Sequence, residues 1–172
     1  MTGPRTPLPE PDRGSAAAMW AAYVGAHPEH EGDLPPVEAF GDSVELADEL
    51  LDLVLAGTKR ATAGIVAEFA SDGEPVPVPG DHWVVTDGTG AARAVLRSRQ
   101  VRLGRLDSVD DAFAHDEGEG DRSRDWWVDA HLRFVERRSA ALGLPDEGSA
   151  TELVFERFAV VWPPEVADPE PS

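Results

Sequence analysis

The chain contains no cysteine, which excludes a disulfide framework, a thiolate nucleophile and every zinc site built on cysteine. No apolar run reaches the roughly 18 residues that a membrane-spanning helix needs, so the expectation is a cytoplasmic protein with no membrane partner. Lysine is nearly absent, with Lys59 its single occurrence. Positive charge as a whole is short: fifteen Lys and Arg stand against thirty-three Asp and Glu, for a net charge of −18. That balance excludes a surface that grips nucleic acid broadly, because backbone binding needs an excess of positive charge. Also missing are the Gly-rich nucleotide loops, the HExxH helix and the GxSxG elbow. What remains is 172 residues, 41% of them apolar, enough for one globular domain with a real core.

Along the chain, residues 1–14 are rich in Pro and Gly and read as a flexible arm; residues 163–172, rich in Pro and acids, read as a disordered tail. Between them, residues 15–26 read as a short packing helix, with Trp20 and Tyr23 at helical spacing. The clearest element is a helix over 43–56. Leu46, Ala47, Leu50, Leu51 and Val54 form one apolar stripe, and Asp42 with Glu45 has the spacing of a capping box. Gly57 supplies the left-handed stop. A strand follows over 61–65, then a Pro/Gly connector over 71–81. Residues 82–87 and 92–103 flank Asp87-Gly88-Thr89-Gly90, a hairpin signal, with a bulge expected near Ser98. Helices over 109–115 and 123–142 and a closing strand over 151–162 complete an α+β order with a small, curled sheet.

Three stretches carry chemistry. Lys59 and Thr62 lie at a helix-to-strand corner. A Thr attacks a carbonyl only if a base takes its proton, and Lys59 can hold a phosphate or an oxyanion or simply cap an acidic helix. Residues 107–121 hold seven acids and no Lys or Arg. Such a run can supply a general acid or base, or oxygen ligands for a hard cation from Glu117, Glu119 and Asp121, or can be a solvated loop. Residues 91–106 hold five Arg and no acid; Arg97 and Arg99 can pair with phosphates, or the stretch can be a solubilised sheet face. Trp127 and His131 share one face of the long helix, as core residues or as substrate contacts.

Four blocks give the chain a resemblance. They are FGDSVELADELLDLVLAGTKRATAG (Phe40 to Gly64), PGDHWVVTDGTG (Pro79 to Gly90), EGEGDRS followed by Trp127 and His131, and ELVFERFAVVWP at the end. Together they resemble the ASCH family, most closely its longer bacterial members. The resemblance implies a PUA-like β-barrel with flanking helices over residues 15–162, and RNA or a modified nucleoside as the partner. It implies two activities, of which the first is the favoured expectation and the second the alternative. One is a metal-dependent ribonuclease on single-stranded RNA, which draws on Lys59, Arg60 and a polar residue such as Ser123, and which needs a divalent metal. The other is an N4-acetylcytidine-type amidohydrolase needing no cofactor, in which Lys59, Thr62 and Glu117 are catalytic. Gly64 stands where that motif carries Arg. A third reading is a binding module for RNA or a modified nucleotide that uses the same pocket without turnover.

Overall fold

A computed structural model of the chain describes residue 3 and residues 5–171. In chain order its elements are α1 (Arg13–Ala26), β1 (Val37–Ala39), α2 (Val44–Leu55), β2 (Ala61–Ile65), α3 (Val66–Asp72), β3 (His82–Thr86), β4 (Ala92–Arg105), α4 (Asp111–Glu117), α5 (Arg124–Leu142) and β5 (Glu152–Trp162). The fold is α+β, a curled mixed sheet whose strands are hydrogen-bonded in the order β1-β3-β4-β5-β2. No helix among the described residues is long and apolar enough to cross a membrane. The chain divides into two compact units.

The first unit comprises the residues up to Gly57, Gly80–Arg97 and those from Ala159 on. Its β1 runs parallel to β3, with Val37 beside Val84, and β3 runs antiparallel to β4, with Val84 beside Val95. These valines form a core with Ala16, Trp20 and Tyr23 of α1. The apolar stripe of α2 is buried at Ala47, Leu50, Leu51 and Val54, but its cap differs from the expected one. Ser43, not Asp42, accepts from the Leu46 amide, at 3.2 Å. Asp42 and Glu45 are drawn away by the N-terminal segment: Arg5 binds Asp42 at 2.9 Å, and the Thr6 amide donates to Glu45 at 3.0 Å. The segment read from composition as an arm therefore makes specific contacts, its residues 1, 2 and 4 lying outside the described ones. The tail does likewise at Asp168, whose amide donates to the Val160 carbonyl at 2.8 Å.

This unit also gathers three imidazoles. Tyr23 lies 3.0 Å from His82 through its hydroxyl and stacks on His30 at 5.8 Å between centroids, while His27 and His30 both approach the exposed carboxylate of Glu29.

The second unit comprises Thr58–Pro79 and Ser98–Phe158. Its β2 and β5 pair antiparallel, Ala61 opposite Arg157, Thr62 opposite Glu156 and Ile65 opposite Leu153. Strand alternation sends Ala61, Ala63, Ile65, Leu153 and Phe155 into a core shared with Phe113 of α4 and Trp127 of α5. Two elements escaped sequence reading. Helix α3 follows β2 with no side-chain cap, and β1, in the first unit, is only three residues long. The one register shift between β3 and β4 falls at Val85/Thr86.

Candidate functional site

Helix α2 ends at Leu55, and Gly57 turns the chain into the Thr58–Arg60 corner. Backbone bonds fix the corner on both sides: the Arg60 amide donates to the Asp116 carbonyl at 2.8 Å, and the Phe158 amide donates to the Arg60 carbonyl at 3.0 Å. Lys59 is thereby committed inward and is only 1% exposed. Its partners come from the end of α4 and the turn beyond. Lys59 Nζ donates to the Glu117 carbonyl at 3.4 Å and to Glu117 Oε1 at 3.5 Å, and lies 3.0 Å from Glu119 Oε2.

Gly118 makes this possible. It stops α4 at φ +74°, and a Cβ there would sit 2.5 Å from the Thr58 carbonyl oxygen and 3.1 Å from the Lys59 Cα. Only a residue without a side chain lets the turn lie directly on the corner.

Helix α5 closes the cluster. Ser123 caps it by accepting from the Trp126 amide at 3.2 Å, which sets Trp127 and His131 one turn apart on the buried face. Trp127 Nε1 donates to Glu117 Oε2. His131 Nδ1 faces the Trp127 carbonyl at 2.9 Å, so it carries a proton, and Nε2 faces Glu117 Oε1 at 3.2 Å. The two rings stack at 3.6 Å between centroids.

The electrostatics separate the two carboxylates. Burial would raise Glu117, but the Lys59 ammonium and then His131 outweigh it and hold its carboxyl well below the usual range. Burial likewise disfavours a charged His131, and the Glu117 charge reverses this, so His131 is raised. For Glu119, burial prevails over the pull of Lys59, and the neighbouring Glu117 charge adds to it; its carboxyl is pushed up to about 7. Glu119 also retains 15% side-chain exposure, against 3% for Glu117. One carboxylate is locked and ionised; the other is reachable and ready to exchange a proton near neutrality.

The structure thus brings together Lys59, Glu117, Glu119, Trp127 and His131. The other sequence candidates make contacts of their own. Asp121 accepts from the Ser123 amide at 2.9 Å. With Glu117 and Glu119 both turned to an ammonium, no three His, Asp or Glu side chains among the described residues are placed to hold a metal ion. Ser123 is engaged as a helix cap. Arg60 donates to the Lys59 carbonyl at 2.8 Å, and Thr62 is half-buried on β2 opposite Glu156. Arg99 is exposed on β4, and Arg97 belongs to the first unit, opposite His82. Three other arginines of the basic stretch are engaged locally: Arg93 with Asp87, Arg102 with Ser108, and Arg105 with Asp107. At Gly64 a Cβ would meet the Phe69 ring at 3.1 Å, so α3 fills the space that a side chain there would enter.

A model of the ASCH domain matches residues 37–162. The chain belongs to the ASCH domain family. Two solved structures are similar to this ASCH domain. Protein EF3133 from Enterococcus faecalis V583 is 28% identical, with 87% of this chain and 89% of that one covered and a TM-score of 0.79. An ASCH domain from Lactobacillus crispatus JV V101 is also 28% identical, with 87% and 96% covered and a TM-score of 0.78. No curated protein matches. The fold is therefore PUA-like, as the motif blocks implied, and the family is associated with RNA. Within this ASCH domain, the resemblance pointed to Lys59, Thr62 and Glu117. The raised proton affinity of Glu119 was hidden, because burial beside Glu117 creates it.

Proposed function

We propose that this ASCH domain is a hydrolase that removes an acyl group from the exocyclic amine of a modified nucleoside, with N4-acetylcytidine as the type substrate. The observation that carries the reading is the Lys59–Glu119 pair: a buried ammonium 3.0 Å from a carboxyl pushed up to about 7. Two carboxyl groups whose environments push their proton affinities apart mark an acid–base pair. Here Glu117 is the fixed charge that holds Lys59 and His131, and Glu119 is the proton carrier.

In the reaction, Thr62 gives its proton to a neighbouring carboxylate as it attacks the acyl carbonyl, Lys59 donates to the oxyanion that develops, and Glu119 protonates the leaving amine. Water then releases the acyl group from Thr62. Charge supports an uncharged substrate over a phosphodiester. The Lys59 ammonium is matched by the fixed charge of Glu117, so it offers little positive charge to a phosphate. The net charge of −18 opposes a long polyanion besides.

The test is hydrolysis of N4-acetylcytidine beside cleavage of a short single-stranded RNA, each with and without chelator. Deacetylation indifferent to chelator, and reduced about 100-fold or more in Lys59→Ala and in Glu119→Gln, is the expected result. RNA cleavage that requires metal and Lys59, with no deacetylation, would establish the ribonuclease instead. Saturable binding without product in either assay would establish the binding module.

A further inference from the structure

Glu156 is a charged residue that the reading above leaves unused. It is 7% exposed in the middle of β5, between Phe155 and Arg157 and flanked on its own face by Val154 and Phe158. Burying a carboxylate is costly unless it is hydrogen-bonded, and an apolar side chain would serve packing there at no such cost. Ser98, itself 1% exposed, donates its hydroxyl to Glu156 Oε1.

The register then supplies the reason. Glu156 is directly opposite Thr62 across the antiparallel β2–β5 pair. Residues 61 and 63 of β2, and 153 and 155 of β5, enter the core, so Thr62 and Glu156 share the other face. Directly opposed residues on one face have Cβ atoms about 4.5–5.5 Å apart, within reach of a hydroxyl-to-carboxylate hydrogen bond. Thr62 is half-buried and thus reachable, while the two groups behind it are buried.

We infer that Glu156 is the base that activates Thr62, and that Ser98 is the residue positioning that base. A threonine hydroxyl is a weak nucleophile until a neighbouring base takes its proton. As Thr62 Oγ forms its bond to the acyl carbon, its proton passes to the Glu156 carboxylate. The bond from that carbon to the leaving group then breaks, and water releases the acyl group and restores both residues. Ser98 fixes the rotation of the Glu156 carboxylate and favours its charged form.

This rests on the reading of Thr62 as the nucleophile, and an activated ester tests it without the nucleoside. The protein is mixed with p-nitrophenyl acetate, nitrophenolate release is followed across pH, and the acetylated residue is located by peptide mass spectrometry. Expected is acetylation of Thr62, slowed about 100-fold in Glu156→Gln with the unfolding midpoint little changed, and partly restored in Glu156→Asp. In Ser98→Ala the acidic limb of the pH profile moves upward, because the carboxylate loses a donor; a merely structural Ser98 would not move it. Should Glu156→Gln fail to fold, the Glu156→Asp rate and the Ser98→Ala limb decide the matter. Thr62 acetylation unchanged in Glu156→Gln, or nucleoside deacetylation proceeding with Thr62 never acetylated, would overturn the inference. Glu156-dependent acetylation of Thr62 without nucleoside turnover would uphold it and overturn the substrate reading alone.

Discussion

The histidines around Tyr23 and the histidine beside Lys59 are held by different forces. Around Tyr23, three imidazoles are packed ring on ring, and Glu29, the carboxylate that His27 and His30 approach, has 63% of its side chain in water. Around Lys59, one imidazole is buried with an ammonium and two carboxylates, and each charge shifts the others. Exposed pairs of charges are worth little because water screens them, whereas removing one member of a buried pair strands the other. A histidine count alone does not locate chemistry; burial against opposite charge does.

Glu117→Ala presses that contrast hardest. It leaves the Lys59 ammonium with one carboxylate and His131 with none, and is expected to cost on the order of 3–5 kcal/mol in urea unfolding. Gly118→Ala comes next. The side chain would enter the Thr58 carbonyl from a left-handed backbone, at an expected cost of about 2–3 kcal/mol, with loss of activity because the turn lifts off Lys59.

The third prediction concerns pH. Glu119 binds its proton more tightly folded, at about 7, than its ordinary 4.5, so above pH 4.5 the folded state holds the extra proton. Stability must then fall as pH rises from about 4.5 to 7, by on the order of 2 kcal/mol. His131, also raised, contributes stability that is fully present below 6.5 and is lost as pH rises through its folded value. Glu119→Gln should flatten the Glu119 part of this slope; an unchanged slope would show that the carboxyl is not the titrating group. Smallest is Tyr23→Phe, which removes the bond to His82 and should cost about 1 kcal/mol. If it cost more than Glu117→Ala, the ordering of the two clusters would be reversed.

Local pattern made much of the fold legible. The α2 stripe, the Asp87–Gly90 turn and the Ser123–Leu142 helix each carry their own signal within a few residues, and each stands within a residue or two of its expected place. Helix α3 has no cap to announce it and follows directly on a strand, so periodicity had too short a run to register. The Asp42 cap failed for a different reason. Two suitable acceptors stood side by side, and a segment 37 residues earlier in the chain claimed one of them.

The site follows the same division. Lys59 and Glu117 stand in recognisable blocks, but the state of Glu119 depends on Lys59, 60 residues away, and on how completely both are sealed from water. Glu156 was invisible because its meaning lies in strand register, which links it to Thr62 across 94 positions of the chain.

The contact of Gly118 with Thr58 has a consequence for anyone wishing to transplant or redesign this centre. Because the two backbones touch, the corner and the Glu-Gly-Glu turn are two halves of one mould, each shaped against the other. An inserted residue in either half, however conservative in character, would shift the two casts out of register. The portable unit is therefore the pair of loops together, and neither is an interchangeable part.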